Sequence, residues 1–112
     1  MSINVMVIDD HTLVREAVCR MIDSEPDLHV VGQAGSVTEG RAVLAQHPIH
    51  VLVIDVSMPD GSGLTLARAA RDASPRLGIV VLTMHNDDET LLEALDLGAS
   101  ALPRSPRRRA RT

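Results

Sequence analysis

Apolar residues along this chain follow two rhythms. Ile3-Asn4-Val5-Met6-Val7-Ile8, Val51-Leu52-Val53-Ile54 and Ile79-Val80-Val81-Leu82-Thr83 are short, nearly unbroken apolar runs rich in β-branched side chains. Such runs predict strands buried on both faces, the pattern of a parallel sheet covered by helices. His29-Val30-Val31-Gly32-Gln33-Ala34 reads as a further, less apolar strand and Ser100-Ala101-Leu102 as a short fifth one. Elsewhere the apolar positions recur at helical spacing. Over residues 12–24, Leu13, Ala17 and Met21 form one stripe, with Val14, Val18 and Ile22 beside it, which predicts an amphipathic helix.

Polar punctuation bounds the elements. Glu25-Pro26-Asp27 breaks the first helix, and Ser36-Val37-Thr38-Glu39 is a capping box that opens a second, running to about Gln46 before Pro48. Ser62 caps a third helix over residues 63–73, which Ser74-Pro75 ends. Asn86-Asp87-Asp88-Glu89 puts acids at the positive end of a helix carrying Leu91, Leu92 and Leu95, with Gly98 as its C-terminal stop. Strand and helix alternate with short connections, so the expected fold is α/β, a doubly wound parallel sheet. Residues 1–102 read as one domain; residues 103–112, rich in Pro, Ser and Arg, read as a disordered or rearranged tail.

Composition narrows the picture. The chain has no Phe, Tyr or Trp, so its core is built from Val, Leu, Ile, Met and Ala. A single cysteine, Cys19, gives no disulfide framework and reads as a packing residue of the first helix. No apolar run approaches about 18 residues and no leader-like start is present, so a cytoplasmic location without a membrane partner is expected. Residues 1–103 carry 15 acids against 6 arginines, a net of −9, while residues 104–112 carry five arginines and no acid. An acidic body argues against nucleic-acid binding by the domain and leaves that role, if any, to the tail.

Three carboxylates then bring in chemistry. Asp9 and Asp10 end the first strand and Asp55 ends the central one, with Thr83 at the end of the next. In open α/β sheets ligands gather outside the carboxyl ends of the strands. Carboxylates at close quarters repel one another, and a hard divalent cation such as Mg²⁺, which takes oxygen ligands from carboxylates, water and phosphate, relieves the repulsion. The five histidines (11, 29, 47, 50 and 85) show no metal-ligand spacing, and no glycine-rich phosphate loop is present.

Val7-Ile8-Asp9-Asp10-His11, Asp55-Val56-Ser57-Met58-Pro59-Asp60-Gly61 and Val81-Leu82-Thr83-Met84-His85 together resemble the receiver domain of bacterial two-component response regulators, in the flavour of the NarL/FixJ class. The resemblance runs from about residue 2 to residue 102. It implies a flavodoxin-like, five-stranded parallel sheet of order 2-1-3-4-5. It also implies a phosphorelay role in which a sensor histidine kinase passes a phosphoryl group to Asp55. Asp9, Asp10, Asp55 and the backbone carbonyl of Ser57 would hold Mg²⁺, and Thr83 would bind a phosphoryl oxygen. The side chains of Ser57 and His85 would flank the site, while Pro59, Asp60 and Gly61 serve the turn. A receiver is a signalling domain and not an enzyme, beyond its own phosphorylation and dephosphorylation.

The family pattern is broken at the far end. Receivers carry a lysine after the fifth strand, and this chain contains none. Counting from Gly98-Ala99 places Ser105 there, or Arg104 with one deletion. Leu102 or Ala101 stands where an aromatic is usual, and no amphipathic sequence for a fifth helix follows. A naturally shortened receiver, or a reading frame that departs after about Ala101, accounts for this equally. The fifth helix and a helix-turn-helix output domain are expected to be missing, so specific DNA binding is not expected. Without a fifth helix beside the first, a dimer or higher oligomer is expected. The alternative to a phosphorylated switch is a degenerate receiver, a protein-interaction module that works without phosphorylation.

Overall fold

The structure, a computed structural model, describes residues 2–83 and 100–103. Expectations for the helix opened by Asn86, for His85, for Arg104 and Ser105, and for the tail and fifth helix fall outside the described residues. The elements in chain order are β1 (Ile3–Ile8), α1 (Thr12–Asp23), β2 (Leu28–Ala34), α2 (Val37–Gln46), β3 (Val51–Asp55), β4 (Ser57–Met58), β5 (Gly61–Ser62), α3 (Gly63–Ala73), β6 (Gly78–Thr83) and β7 (Ser100–Pro103). Five strands form one parallel sheet in the order β2-β1-β3-β6-β7. With the two-residue strands β4 and β5 set apart as their own antiparallel hairpin, this is the expected 2-1-3-4-5 order.

The apolar runs behave as buried strands because both of their faces are covered. Met6, Ile8, Leu52, Ile54 and Val81 point to the α2–α3 side, where Leu64, Leu66 and Ala67 of α3 meet them. Val5, Val7, Val53 and Leu82 point to the α1 side and meet Cys19, Val18 and Ile22. Each such aliphatic side chain taken fully out of water contributes roughly 1.5–3 kcal/mol. Burial, with Asp23 nearby, pushes the Cys19 thiol above its ordinary pKa, so this cysteine is a packing group and a poor nucleophile.

Of the two stripes on α1, the one carrying Val18 and Ile22 turns toward the sheet. Leu13 and Met21 stand 81% and 68% exposed, with Ala17 exposed between them. The pleat therefore selects a face that helical periodicity alone leaves open.

Helix α2 shows how completely its amino end is provided for. The first amides of a helix lack intrahelical partners. The amide of Glu39 donates to Ser36 Oγ at 3.1 Å, as the capping box predicts. Glu39 Oε1 reaches one residue further back than the usual box and accepts from the Gly35 amide at 2.7 Å. The two remaining amides, of Val37 and Thr38, donate to the two carboxylate oxygens of Asp60 at 2.8 and 3.0 Å, and the Thr38 hydroxyl donates to Asp60 Oδ2 at 2.7 Å. Asp60 lies at the tip of the β4–β5 hairpin, 23 residues away in sequence from Val37. It does more than serve a turn: it ties the segment after β3 to the head of α2.

The Thr38 hydroxyl first, then the Thr38 and Val37 amides, hold the Asp60 carboxyl below the ordinary aspartate range. Because the folded value is the lower one, the clamp stabilises fully above the unfolded pKa, about 4, and its contribution is lost as pH falls through the folded value. An Asp60→Asn chain should melt about 5 °C below the parent near neutrality. The gap should close as the pH falls below about 4. Melting curves across that range check this, and a gap independent of pH would contradict the charged clamp.

Candidate functional site

Register brings the acids together. Ile8 pairs with Ile54 across β1 and β3, so the next residues, Asp9 and Asp55, emerge side by side at the carboxyl end of the sheet. Asp55 in turn pairs with Leu82 of β6, which puts the backbone of Thr83 one step beyond, at the same end. Asp9 and Asp55 are 0% and 1% exposed, while Asp10 is partly open to solvent. Oxygens of Asp9, Asp10 and Asp55, together with a ring nitrogen of His11, all lie within 4.8 Å of one another. Of the residues singled out from sequence, the structure thus gathers the three aspartates side chain to side chain. It places Thr83 and Ser57 by their backbones only, in β6 and β4.

The backbone around the aspartates is pinned from several directions. The Asp9 amide donates to Ala34 O at 3.0 Å, and the Asp9 carbonyl accepts from Arg15 Nη1 at 2.8 Å. Arg15 Nε also donates to Gln33 Oε1 at 3.1 Å, so one guanidinium braces the end of β1 against the end of β2. Beyond Asp55, the Val56 amide donates to Leu82 O at 3.2 Å and the Gly63 amide to Val56 O at 2.7 Å. A Cβ on Gly63 would stand 1.9 Å from the Asp55 carbonyl oxygen, so only glycine lets α3 begin this close to the strand end.

Three residues matter here that sequence reasoning did not assign. Arg15 is one turn into α1 and signals nothing by spacing. Asp60 acts across 23 residues on an amide pair of another helix. His11 shows no ligand spacing to any other histidine; its neighbours are carboxylates. Its ring Nδ1 lies 3.1 Å from Asp9 Oδ1, 3.0 Å from Asp10 Oδ1 and 3.9 Å from Asp55 Oδ2. Its adjacency to Asp9-Asp10 was the available signal. His50, by contrast, is structural: its Nδ1 accepts the Asn4 amide at 2.8 Å.

Two buried carboxylates beside a third form an all-oxygen donor set that suits a hard divalent cation, which takes such ligands in preference to softer ones. A doubly wound parallel sheet with acids collected at the carboxyl ends of two neighbouring strands defines a flavodoxin-like α/β domain with an acidic centre. The chain belongs to the response regulator receiver domain family, whose model matches residues 5–102.

It is 39% identical over 98 residues to the DNA-binding transcriptional activator DevR/DosR of Mycobacterium tuberculosis, covering 88% of this chain and 45% of that protein. It is 37% identical over 97 residues to the transcriptional regulatory protein UhpA of Salmonella typhimurium, covering 87% and 48%. The isolated REC domain of RcsB from Salmonella enterica serovar Typhimurium, solved with the phosphomimetic BeF₃⁻, matches with a TM-score of 0.84 at 32% identity, over 92% of this chain and 78% of that one. The chain spans about half the length of the curated relatives it matches. No helix among the described residues is long and apolar enough to cross a membrane.

Proposed function

We propose that this chain is a phosphoacceptor in two-component signalling, taking a phosphoryl group from a sensor histidine kinase onto Asp55 with Mg²⁺ bound at Asp9, Asp10 and Asp55. The observation that carries the reading is the Asp55 carboxylate, 1% exposed at the carboxyl end of the central strand with two more carboxylates beside it. The backbone carbonyl of Ser57 would complete the protein ligands. When bound, the cation neutralises the incoming phosphoryl oxygens and the carboxylates together. An Asp55 carboxylate oxygen attacks phosphorus in line, a P–O(Asp) bond forms as the bond to the donor breaks, and the donor keeps that electron pair. Asp55 is a weak nucleophile, so positioning does much of the work, and the hydrogen bonds through Val56 and Gly63 supply it on the strand side. Thr83 would receive a phosphoryl oxygen. Mass spectrometry after treatment with acetyl phosphate, with and without Mg²⁺, tests the reading: a metal-dependent gain of one phosphoryl group is expected, and no gain in either case would overturn it.

A second reading rests on the lack of any lysine in the chain. A receiver without that contact, with Arg104 or Ser105 as its substitutes, would keep the pocket and act as an interaction module independent of phosphate. Equal affinity for its partner before and after treatment would favour this reading.

Self-association belongs to the same proposal. Leu13, Ala17 and Met21 form an exposed apolar ridge on α1, and a second copy of the chain would cover it. Sedimentation at micromolar concentration should show a dimer that Leu13→Glu converts to monomer; a parent chain that is already monomeric would contradict it.

A further inference from the structure

We infer that His11 is a nitrogen ligand of the cation in the aspartate pocket, and that it shifts this site's preference from Mg²⁺ toward transition-metal ions. The inference rests on the pocket reading of the proposed function and adds to it a residue that sets which metal is taken. His11 Nδ1 approaches oxygens of three different carboxylates, at 3.1 Å for Asp9, 3.0 Å for Asp10 and 3.9 Å for Asp55. Of the three approaches only the one to Asp9 is a hydrogen bond; the buried Asp10 Oδ1 beside the ring accepts none among the described residues. Ligand atoms around an octahedral ion at about 2.1 Å are separated by about 3.0 Å along an edge and about 4.2 Å across the centre. The 3.0 and 3.1 Å approaches of the ring nitrogen match an edge of such a shell, and the 3.9 Å approach to Asp55 lies nearer its diagonal.

The backbone holds the ring in place. The His11 amide donates to Asp9 Oδ1 at 2.8 Å, locking the residue to the first carboxylate, and its side chain is half exposed at the rim of the pocket. His11 also stands at the N-cap of α1 without making a side-chain cap bond, so helix capping does not explain the ring's orientation. An all-oxygen set suits Mg²⁺, whereas an imidazole suits Zn²⁺, Ni²⁺ and the other ions late in the first transition row. Adding one nitrogen to three carboxylates makes a mixed site that holds Mg²⁺ and holds Co²⁺ more tightly.

Calorimetric titration of the full chain with Co²⁺ and with Mg²⁺ tests this, alongside His11→Ala and Asp55→Asn. His11→Ala should weaken Co²⁺ about ten-fold or more while changing Mg²⁺ by less than about three-fold. Pulsed electron paramagnetic resonance of the Mn²⁺-loaded parent should show a nitrogen coupling that His11→Ala removes, a readout independent of that variant's stability. If His11→Ala binds both ions as well as the parent or more tightly, and the parent shows no nitrogen coupling, His11 is a competitor or bystander and the inference fails while the pocket stands. If neither ion binds the parent, or Asp55→Asn leaves both affinities unchanged, the pocket reading itself fails.

Discussion

An Asp55→Asn chain is expected to gain no phosphoryl group from acetyl phosphate under conditions that modify the parent. The change is nearly isosteric, so the strand end and its hydrogen bonds through Val56 and Gly63 remain. What disappears is the oxygen proposed as the nucleophile and one of the negative charges that would draw in a cation. The other aspartates do not replace it: Asp10 is partly in solvent, and Asp9 is buried with its Oδ1 already accepting the His11 amide. Removing one of three mutually repelling carboxylates should also leave the fold at least as stable as before. Complete loss of modification with an unchanged or raised melting temperature is therefore the paired outcome. Modification that persists in this variant would show that phosphate goes elsewhere.

Gly63→Ala is expected to cost the most in stability. Its new methyl group would stand 1.9 Å from the Asp55 carbonyl oxygen, 2.9 Å from the Asp55 carbonyl carbon and 3.2 Å from Ile54 Cγ1. The first two are backbone atoms of the central strand and cannot turn aside, so α3 must withdraw or β3 must bend. The Gly63 amide bond to the Val56 carbonyl would go with that movement. Overpacking against rigid partners lies at the upper end of its usual range, about 3 kcal/mol, which corresponds to a fall in melting temperature of about 10–20 °C for a domain of this size. Gly40→Ala is the internal comparison. Its methyl meets only side-chain ends, Ile8 Cδ1 at 2.8 Å and Leu66 Cδ2 at 3.1 Å, which can shift by changing rotamer. Thermal melts of the two variants decide the matter, and equal losses would mean that the contact with Asp55 is not what makes Gly63 necessary.

How much of this could be read before the fold was known depends on how far each interaction reaches. The runs 3–8, 51–55 and 79–83 and the caps Ser36 and Ser62 declare themselves within a few residues, and the structure places them where local pattern puts them. Alternation of strands and helices carries the sheet's parallel sense, because short connections leave few other routes. The meeting of Asp9 with Asp55 follows from strand ends alone. Asp60 could not be read in this way, because its partners lie on another helix and its own neighbours spell a turn. Nor could Arg15, whose hydrogen bonds reach the Asp9 carbonyl and the Gln33 side chain. On α1, apolar residues occupy more than one stripe, so periodicity names the helix without naming its buried face.

One irregularity in the sheet has a bearing on how the molecule behaves in company. Strand β2 is an outer strand, and its ladder to β1 slips between Val5 and Met6: Val5 faces Val30, but Met6 faces Gly32, leaving Val31 over. An inserted residue of this kind sharpens local twist and interrupts the even row of amides and carbonyls that a foreign strand would need. An outer strand with Val30 and Val31 in succession would otherwise be a template for end-to-end growth. The slip makes this edge of the sheet a poor template, which matters for a chain that holds no Phe, Tyr or Trp and whose strands, once loosened, have no aromatic clasp to return them to register.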